Sequence, residues 1–114
     1  MSECLFCKIV EKRIPAKLVH EDEHTLAFDD INPQAPIHTL VIPKKHIAAV
    51  QDCTGQDQGL LGHLLLSCAN VAKQKGLGES GYRIVTNTGR DGGQTVFHLH
   101  LHVMGGRHMN WPPG

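Results

Sequence analysis

Three histidines, His98, His100 and His102, alternate with apolar residues near the end of the chain. This alternation predicts a β-strand over residues 94–103, because successive side chains of a strand point to opposite faces. The histidines would share one face, with neighbours about 7 Å apart. The other face would be apolar and directed to a core, and it comprises Phe97, Leu99, Leu101 and Val103. Imidazole can transfer protons, attack an electrophile or bind a metal near neutral pH, so this strand is the first candidate site.

A glycine-rich loop leads directly into the histidines. Gly92 and Gly93 precede Gln94 and Thr95. Glycines let backbone N–H groups approach an anion closely, and the threonine adds a hydroxyl donor. The order predicts a phosphate oxygen held beside an imidazole. A plain hairpin loop is the alternative for the glycines alone.

Cys4 and Cys7 form a Cys-x-x-Cys pair near the N-terminus. A redox pair of this kind usually belongs to a βαβ unit, which the sequence lacks. Two thiolates need two further ligands for a closed tetrahedral zinc site, and His46 and His98 are available. Cysteines that bind no metal are the alternative, and a catalytic zinc held by the three alternating histidines is another.

The composition restricts the class of protein. The 114 residues include 11 Lys and Arg against 11 Asp and Glu, so the formal net charge is zero. This balance gives no reason to expect a nucleic acid or an anionic membrane as partner. No apolar run is as long as a membrane span, and the N-terminus lacks the core of a signal peptide. We therefore expect one domain over residues 1–114 in the cytoplasm.

Periodicity and turn residues predict the elements. The first half should contain a short helix at 4–12, a hairpin of strands at 17–21 and 25–28, a loop at 29–36 and a strand at 38–43. The continuous apolar run of residues 40–42 indicates a central strand covered on both faces. Residues 57–75 should form the one long helix, whose apolar stripe comprises Leu60, Leu61, Leu64, Leu65, Cys68, Val71 and Ala72. A strand at 82–87 precedes the histidine strand, which makes an α+β fold with a mostly antiparallel sheet.

Two further cysteines and four histidines are not assigned to a site. Cys68 should be a core residue, and Cys53 is assigned no role. Four histidines should be exposed, since polar residues usually lie outside: His20, His24, His63 and His108.

The run from His98 to Val103 resembles the His-x-His-x-His-x pattern of the histidine triad (HIT) superfamily. Other stretches resemble its HINT branch, and they are residues 28–38, 40–47, 91–94 and 105–114. The resemblance covers nearly the whole chain. It implies a HIT-like fold and a purine nucleoside phosphoramidase that forms a homodimer.

By this resemblance His100 is the nucleophile and forms a nucleotidylated histidine, which water then cleaves. His102 and the Thr95 hydroxyl would bind phosphate oxygens together with the backbone of Gly93 and Gln94. His38 would complete a polar relay near the leaving group. Asn87 would contact the phosphate or the leaving amine.

The resemblance also implies how an AMP-type nucleotide is held. Asp30 would accept both ribose hydroxyls, while an apolar slot for the purine would be lined by Phe6, Phe28 and Ile31. The tail that contains Trp111 would lie near the partner's site. Some relatives hold zinc through four residues that match Cys4, Cys7, His46 and His98, so a structural zinc is expected, with His98 also a member of the triad.

Thr95 departs from the HINT branch, which commonly has serine at this position. The hydroxyl is kept, but the added methyl group bears on rate and substrate preference. The resemblance leaves two alternatives: a HIT hydrolase or transferase of the dinucleoside polyphosphate type, and a non-catalytic nucleotide-binding interaction protein.

Overall fold

The computed structural model describes residues 3–114, which form a five-stranded sheet and two α-helices. The elements are α1 (Leu5–Val10), β1 (Leu18–Glu21), β2 (Thr25–Asp29), β3 (Ile37–Pro43), α2 (Gln58–Gln74), β4 (Tyr82–Val85) and β5 (Leu101–Gly105). Two short 3-10 turns, Val50–Asp52 and Gly55–Asp57, lead into α2. The fold is α+β, which confirms the class that the sequence predicted.

The strands lie in the order β1-β2-β3-β5-β4, and every neighbouring pair is antiparallel. The middle strand β3 is buried along nearly its whole length, as its apolar run predicted. Its side chains alternate between two cores: Val41 packs with α2, whereas Leu40 and Ile42 pack with α1. The sheet is therefore covered on both faces, and α1 covers the face from which the candidate site is built.

Helix α2 follows the predicted stripe with one exception. Leu64, Cys68 and Val71 are buried at 1% exposure or less, so Cys68 is a core residue as expected. Leu65 was predicted to belong to the stripe, but its exposure is 53%. It follows Leu64 by one residue, which turns it about 100° away from the core face. Among residues 3–114, no helix is long and apolar enough to cross a membrane.

The predicted histidine strand is largely absent. Strand β5 begins only at Leu101, so His102 is the one triad histidine within it, and His98 lies in a bend. The β3–β5 register, continued backwards, would place Leu99 opposite Pro43, which has no N–H to offer the ladder. Instead, the Leu99 N–H donates to the Ile47 carbonyl at 2.6 Å. The three histidines therefore do not share one face of a strand.

Two further expectations about this half of the chain were wrong. Phe97 was placed on the core face, but it lies before the strand and is 58% exposed. Strand β4 ends at Val85 rather than at Asn87. Leu99, Leu101 and Val103 do reach the core that packs against α2, so the apolar alternation was correct from Leu99 onward.

Candidate active site

His100 is held by its own backbone and by its neighbours. Its Nδ1 lies 2.7 Å from the carbonyl oxygen of His98, and a carbonyl can only accept, so Nδ1 carries the hydrogen. The Nε2 lone pair of the neutral ring is then available to attack. The Thr86 hydroxyl donates to the His100 carbonyl at 2.9 Å, and the Phe6 ring packs edge-on against the imidazole at a 5.1 Å centroid distance. The imidazole is thus fixed in the tautomer and orientation of a nucleophile.

His38 and His102 form a hydrogen-bonded pair beside it. The backbone N–H of Gln34 donates to His38 Nδ1 at 2.9 Å, so a neutral His38 carries its hydrogen on Nε2. That Nε2 lies 2.8 Å from His102 Nδ1 and 3.4 Å from an Asp30 carboxylate oxygen. His102 Nδ1 therefore accepts, and its Nε2 bears the hydrogen. Among the described residues this buried Nε2 has no hydrogen-bond partner.

Burial keeps both rings of this pair neutral. Desolvation, with smaller contributions from positive charge on His100 and His38, lowers the pKa of His102 to about 4, and the Asp30 carboxylate partly offsets these effects. Desolvation also lowers the pKa of His38, which the Asp30 carboxylate partly offsets. Near pH 7 the pair can therefore offer one N–H, at His102 Nε2, without carrying a charge.

These histidines border a cavity of about 390 Å³. Its apolar wall comes from α1, the segment after α1, and the second and third strands, and includes Phe6, Ile9, Ile14, Ala16, Phe28 and Leu40. Its polar wall includes Asp30, His38, Thr95, His100 and His102. An apolar slot that ends in a few convergent polar groups is the usual form of a site for a small molecule.

The structure brings together most of the predicted nucleotide-binding residues. Phe6 and Phe28 are at most 5% exposed and meet edge-to-face at 5.4 Å. Ile31 borders the cavity but is fully exposed, so it stands at the rim rather than inside the slot. Asn87 and Trp111 are not among the described residues that line the cavity, and Trp111 is 82% exposed. Their roles in binding stay predictions.

The backbone N–H groups that were predicted to bind phosphate already donate to carbonyl groups of their own loop. The N–H of Gly93 donates to the Arg90 carbonyl at 3.1 Å, and the N–H of Gln94 donates to the Gly89 carbonyl at 3.0 Å. The buried Gln94 side chain donates to the Ala48 carbonyl at 2.7 Å. Gln94 thus fastens the loop to the segment after β3. A phosphate contact through either N–H would have to share or displace these bonds.

A second cluster of polar side chains adjoins His100. One atom from each of Cys4, Cys7, His46 and His98 lies within 4.8 Å of the others. The sulfur–nitrogen distances are 3.4 Å from Cys4 to His98, 3.3 Å from Cys7 to His46 and 3.5 Å from Cys7 to His98. The two Nδ1 atoms of His46 and His98 are 3.2 Å apart.

These distances fit zinc. A tetrahedral ion with bonds of about 2.3 Å to sulfur and 2.0–2.1 Å to nitrogen has edges of about 3.5 Å (S to N) and 3.3 Å (N to N). His98 Nε2 donates to the Pro43 carbonyl at 2.8 Å, which leaves the Nδ1 lone pair directed at the cluster. Two thiols and two imidazole nitrogens are also the donor set of many structural zinc sites. The residues present therefore fit the metal that the sequence suggested.

The four ligand positions come from separate parts of the chain. Cys4 caps α1 and accepts from the Cys7 N–H, His46 follows β3, and His98 precedes His100 by two residues. A metal here would tie α1, which carries Phe6, to the segment that carries His100. With four protein ligands it would have no open position for a water, so its role would be structural.

Two backbone groups and one side chain that hold the site were not predicted from the sequence. The Gln34 N–H and the Pro43 carbonyl fix the rings of His38 and His98, and the Thr86 hydroxyl holds the backbone of His100. The two backbone groups have no sequence signal, because a peptide group is present at every position, and a single threonine beside a strand has no distinctive pattern.

The histidines outside the site largely meet expectation. His20, His24 and His108 are exposed. His63 was predicted to be exposed, but it is half-buried on α2, where its Nε2 lies 2.9 Å from an Asp22 oxygen. His20 Nε2 lies 3.1 Å from the same oxygen, so both histidines pair with one carboxylate. Several hydrogen bonds to that carboxylate outweigh its desolvation and lower the pKa of Asp22.

Comparison with known proteins gives a consistent result. The family model described as HIT domain matches residues 11–109. An uncharacterised HIT-like protein of Synechococcus elongatus is 56% identical over the whole of both chains. The crystal structure of a HIT family hydrolase from Legionella pneumophila has a TM-score of 0.96 at 54% identity, over 98% of this chain and 100% of that one. A histidine triad nucleotide-binding protein from Candida albicans has a TM-score of 0.81 at 34% identity, over 89% of this chain and 73% of that one.

Proposed function

The chain belongs to the HIT domain family, and from that premise we propose that it hydrolyses the P–N bond of purine nucleoside phosphoramidates. The observation that carries the proposal is the tautomer of His100. Its Nδ1 is committed to the His98 carbonyl, so Nε2 is the nucleophilic atom, and that ring lines the cavity. A neutral imidazole held in this way is suited to attack a phosphorus atom.

In the first step His100 Nε2 attacks the α-phosphorus, and a phosphorus–imidazole bond forms as the P–N bond breaks. The departing amine takes a proton from solvent. His102 donates its Nε2–H to the phosphoryl group, and the Thr95 hydroxyl, which lines the same cavity, provides a second donor. Both groups stabilise negative charge that grows on the phosphoryl oxygens.

In the second step water attacks the phosphorus of the nucleotidylated His100, the phosphorus–imidazole bond breaks, and the nucleoside monophosphate is released while the proton of the water passes to solvent. The phosphorylated imidazole is cationic, because Nδ1 keeps its hydrogen, and a cationic imidazole leaves readily. The His98 carbonyl holds the Nδ1–H throughout, so the ring returns to its starting tautomer. The enzyme is thus regenerated without a metal at the reacting atoms.

The remainder of the cavity supports the choice of a purine nucleotide. Phe6 and Phe28 form a buried aromatic corner against which a flat, wide base can pack. Asp30 borders the cavity and offers a carboxylate for ribose hydroxyls, although one of its oxygens already accepts from the Asn32 N–H at 2.9 Å. The name of the Candida albicans protein, which describes it as nucleotide-binding, agrees with this assignment.

We propose in addition that a structural zinc occupies the cluster of Cys4, Cys7, His46 and His98. Bound there, the ion would supply four bonds that hold α1 against the segment before β5. The ligand distances given above support it.

We also propose that the protein forms a homodimer. Leu65 and Leu66 on α2 are 53% and 67% exposed, and Tyr82 on the edge strand β4 is 38% exposed. Large apolar side chains and an unpaired strand edge are the features that a second copy would cover. The exposed Trp111 would then reach the partner's cavity rather than its own.

The function is tested by comparing adenosine 5′-phosphoramidate with matched phosphate esters and with a dinucleoside polyphosphate. We expect the phosphoramidate to have by far the highest kcat/KM, and adenosine to be preferred over a pyrimidine nucleoside. His100→Ala should lower turnover by several orders of magnitude while AMP binding persists, because the ribose and base contacts remain.

The outcomes separate the candidate functions. Faster cleavage of the dinucleoside polyphosphate would assign the chain to that kind of HIT hydrolase instead. AMP binding without turnover of any of these compounds would indicate a nucleotide-binding interaction protein. Turnover in His100→Ala within tenfold of the parent would refute the covalent mechanism, and turnover lost after chelation in protein that stays folded would favour a catalytic metal.

A further inference from the structure

The chain makes a tight corner directly after β5, and this corner lies against the loop that borders the cavity. Gly106 adopts a φ of +92°, and a Cβ there would lie 2.8 Å from the Cβ of Pro36. Both the conformation and the close approach favour glycine at this position. The corner therefore places the next residue, Arg107, beside the backbone of residues 32–36.

Arg107 uses this position to hold two carbonyl groups. One guanidinium nitrogen, Nη2, donates to the Gln34 carbonyl at 3.0 Å, and the other, Nη1, donates to the His108 carbonyl at 3.1 Å. A guanidinium presents its donors in a rigid planar fork, so two bonds of this kind fix the loop relative to the start of the tail.

The residue that Arg107 holds is the one that sets the tautomer of His38. Gln34 accepts from Arg107 through its carbonyl and donates from its own N–H to His38 Nδ1 at 2.9 Å. If that N–H moved away, His38 could carry its hydrogen on Nδ1, and Nε2 would no longer donate to His102. The His102 ring would then lose the bond that keeps its own hydrogen on Nε2.

We propose that Arg107 is a positioning residue, which acts through Gln34 to keep the His38–His102 pair in the tautomers that place the hydrogen of His102 on Nε2. The proposal concerns the same site as the proposed function and rests on it for its effect on catalysis. Its effect on the tautomers stands on the hydrogen bonds alone.

Arg83 provides a matched control. It is a second arginine that donates to a backbone carbonyl of the tail, that of Asn110, at 2.8 Å. It makes no hydrogen bond to Gln34 among those of the described residues. Arg83→Met and Arg107→Met remove the same charge and replace it with the same side chain. They differ in the carbonyls that lose a donor, which are those of Gln34 and His108 for Arg107 and that of Asn110 for Arg83.

The direct test is 15N NMR of the histidine side chains in the full-length protein at pH 7.5. The parent and Arg83→Met should show Nδ1 unprotonated and Nε2 protonated in both His38 and His102. Arg107→Met should show a second tautomer at His38, with hydrogen on Nδ1. Arg107→Met should lower the kcat for adenosine phosphoramidate about 5- to 30-fold and change KM less than about twofold, because the bond to Gln34 is a solvent-exposed hydrogen bond away from the reacting atoms.

Parental tautomers in Arg107→Met would overturn the proposal, whatever happens to turnover. Equal losses of kcat in Arg83→Met and Arg107→Met would attribute the effect to the lost charge or to the tail that both arginines contact, and would also overturn the proposal. Arg107→Ala, which also lacks the fork, replaces Arg107→Met if the latter does not fold, and the same results are required of it. A tautomer shift in a protein that cleaves no phosphoramidate would uphold the positioning role and refute the proposed function.

Discussion

Each histidine of the site has its tautomer set by the group on one ring nitrogen. His98 donates from Nε2 to the Pro43 carbonyl and turns Nδ1 to the cysteines, whereas His100 donates from Nδ1 and leaves the lone pair on Nε2. His102 accepts at Nδ1 and carries its hydrogen on Nε2. Three residues of one type, two positions apart, thereby have the tautomers that the proposed roles in metal binding, nucleophilic attack and hydrogen-bond donation require.

The first prediction concerns the protonation of His102. Its pKa is lowered from 6.5 to about 4 mainly by desolvation, so the unfolded chain binds this proton more readily than the folded one. The neutral ring should therefore contribute full stability above about pH 6.5, and this contribution should be lost as the pH falls towards 4. Side-chain NMR should show His102 neutral at pH 6, and turnover should not decline between pH 8 and pH 6 on its account.

A titration midpoint for His102 at or above 6.5, the ordinary value for histidine, would contradict the assignment of a desolvated, neutral donor.

The sequence predicted which side chains form the site better than it predicted how they are arranged. The His-x-His-x-His pattern indicated a site, but the assumed strand was wrong for His98 and His100. Alternation of side chains does not reveal that the partner strand ends in a proline, nor that a neighbouring carbonyl at Ile47 takes the Leu99 N–H. The tautomers depend on backbone groups that leave no trace in residue type.

At the scale of elements, the site is assembled where α1 meets the segment before β5. Phe6 contacts the ring of His100 and lines the cavity, and in the sequence it lies between the two cysteines of the cluster. Helix α1 has only six residues, which is too short to be stable by itself. A metal bound by Cys4 and Cys7 would anchor it at the end from which Phe6 projects.

The second prediction tests this anchor. Cys4→Ser should lower the zinc content per chain, measured by mass spectrometry of the metal in protein purified without chelator or tag. It should lower the melting temperature by more than about 5 °C, because a lost structural ion removes more than about 1 kcal/mol from the free energy of unfolding. Turnover should fall only as far as His100 loses its alignment.

Two variants serve as controls for the zinc prediction. Cys53→Ser changes a cysteine that is not in the cluster, and His100→Ala changes the residue two positions after His98. Both should keep the parental zinc content. Parent protein with near-zero zinc, in which Cys4 and Cys7 react freely with an alkylating agent, would refute the metal site.

The order of the elements was predicted well, because each has its own local signal. The central position of β3 followed from its apolar run, and α2 from its 3.6-residue period. The role of Gln94 was not predicted, since its bonds to Ala48 and to Gly89 depend on how the loop folds back onto the segment after β3. Long-range contacts of polar side chains have no periodic signature.

At the scale of the whole molecule, the fold of a single chain does not account for the exposed tryptophan of the C-terminal tail. Trp111 is 82% exposed, and burying an indole of this size is favourable. Arg83 donates to the carbonyl of Asn110, the residue before Trp111. A homodimer would give this side chain a partner surface.

The third prediction follows from this arrangement. Deleting residues 109–114 should change the relative kcat/KM for phosphoramidates with large and small leaving amines, while the melting temperature changes by only a few degrees, since the deleted residues are mostly exposed. Sedimentation should show the parent as a dimer. An unchanged leaving-group profile, or a parent that sediments as a monomer, would contradict the placement of the tail at a partner's cavity.

The nucleotidylated His100 is the central claim, and rapid-quench mass spectrometry tests it most directly. Parent protein mixed with adenosine phosphoramidate should release a burst of amine of about one equivalent per site if hydrolysis is the slower step. The quenched protein should then carry one adenylyl group, on the peptide that contains His100. An adduct on His98 or His102, or amine release without any adduct under conditions that preserve phosphohistidine, would contradict the account.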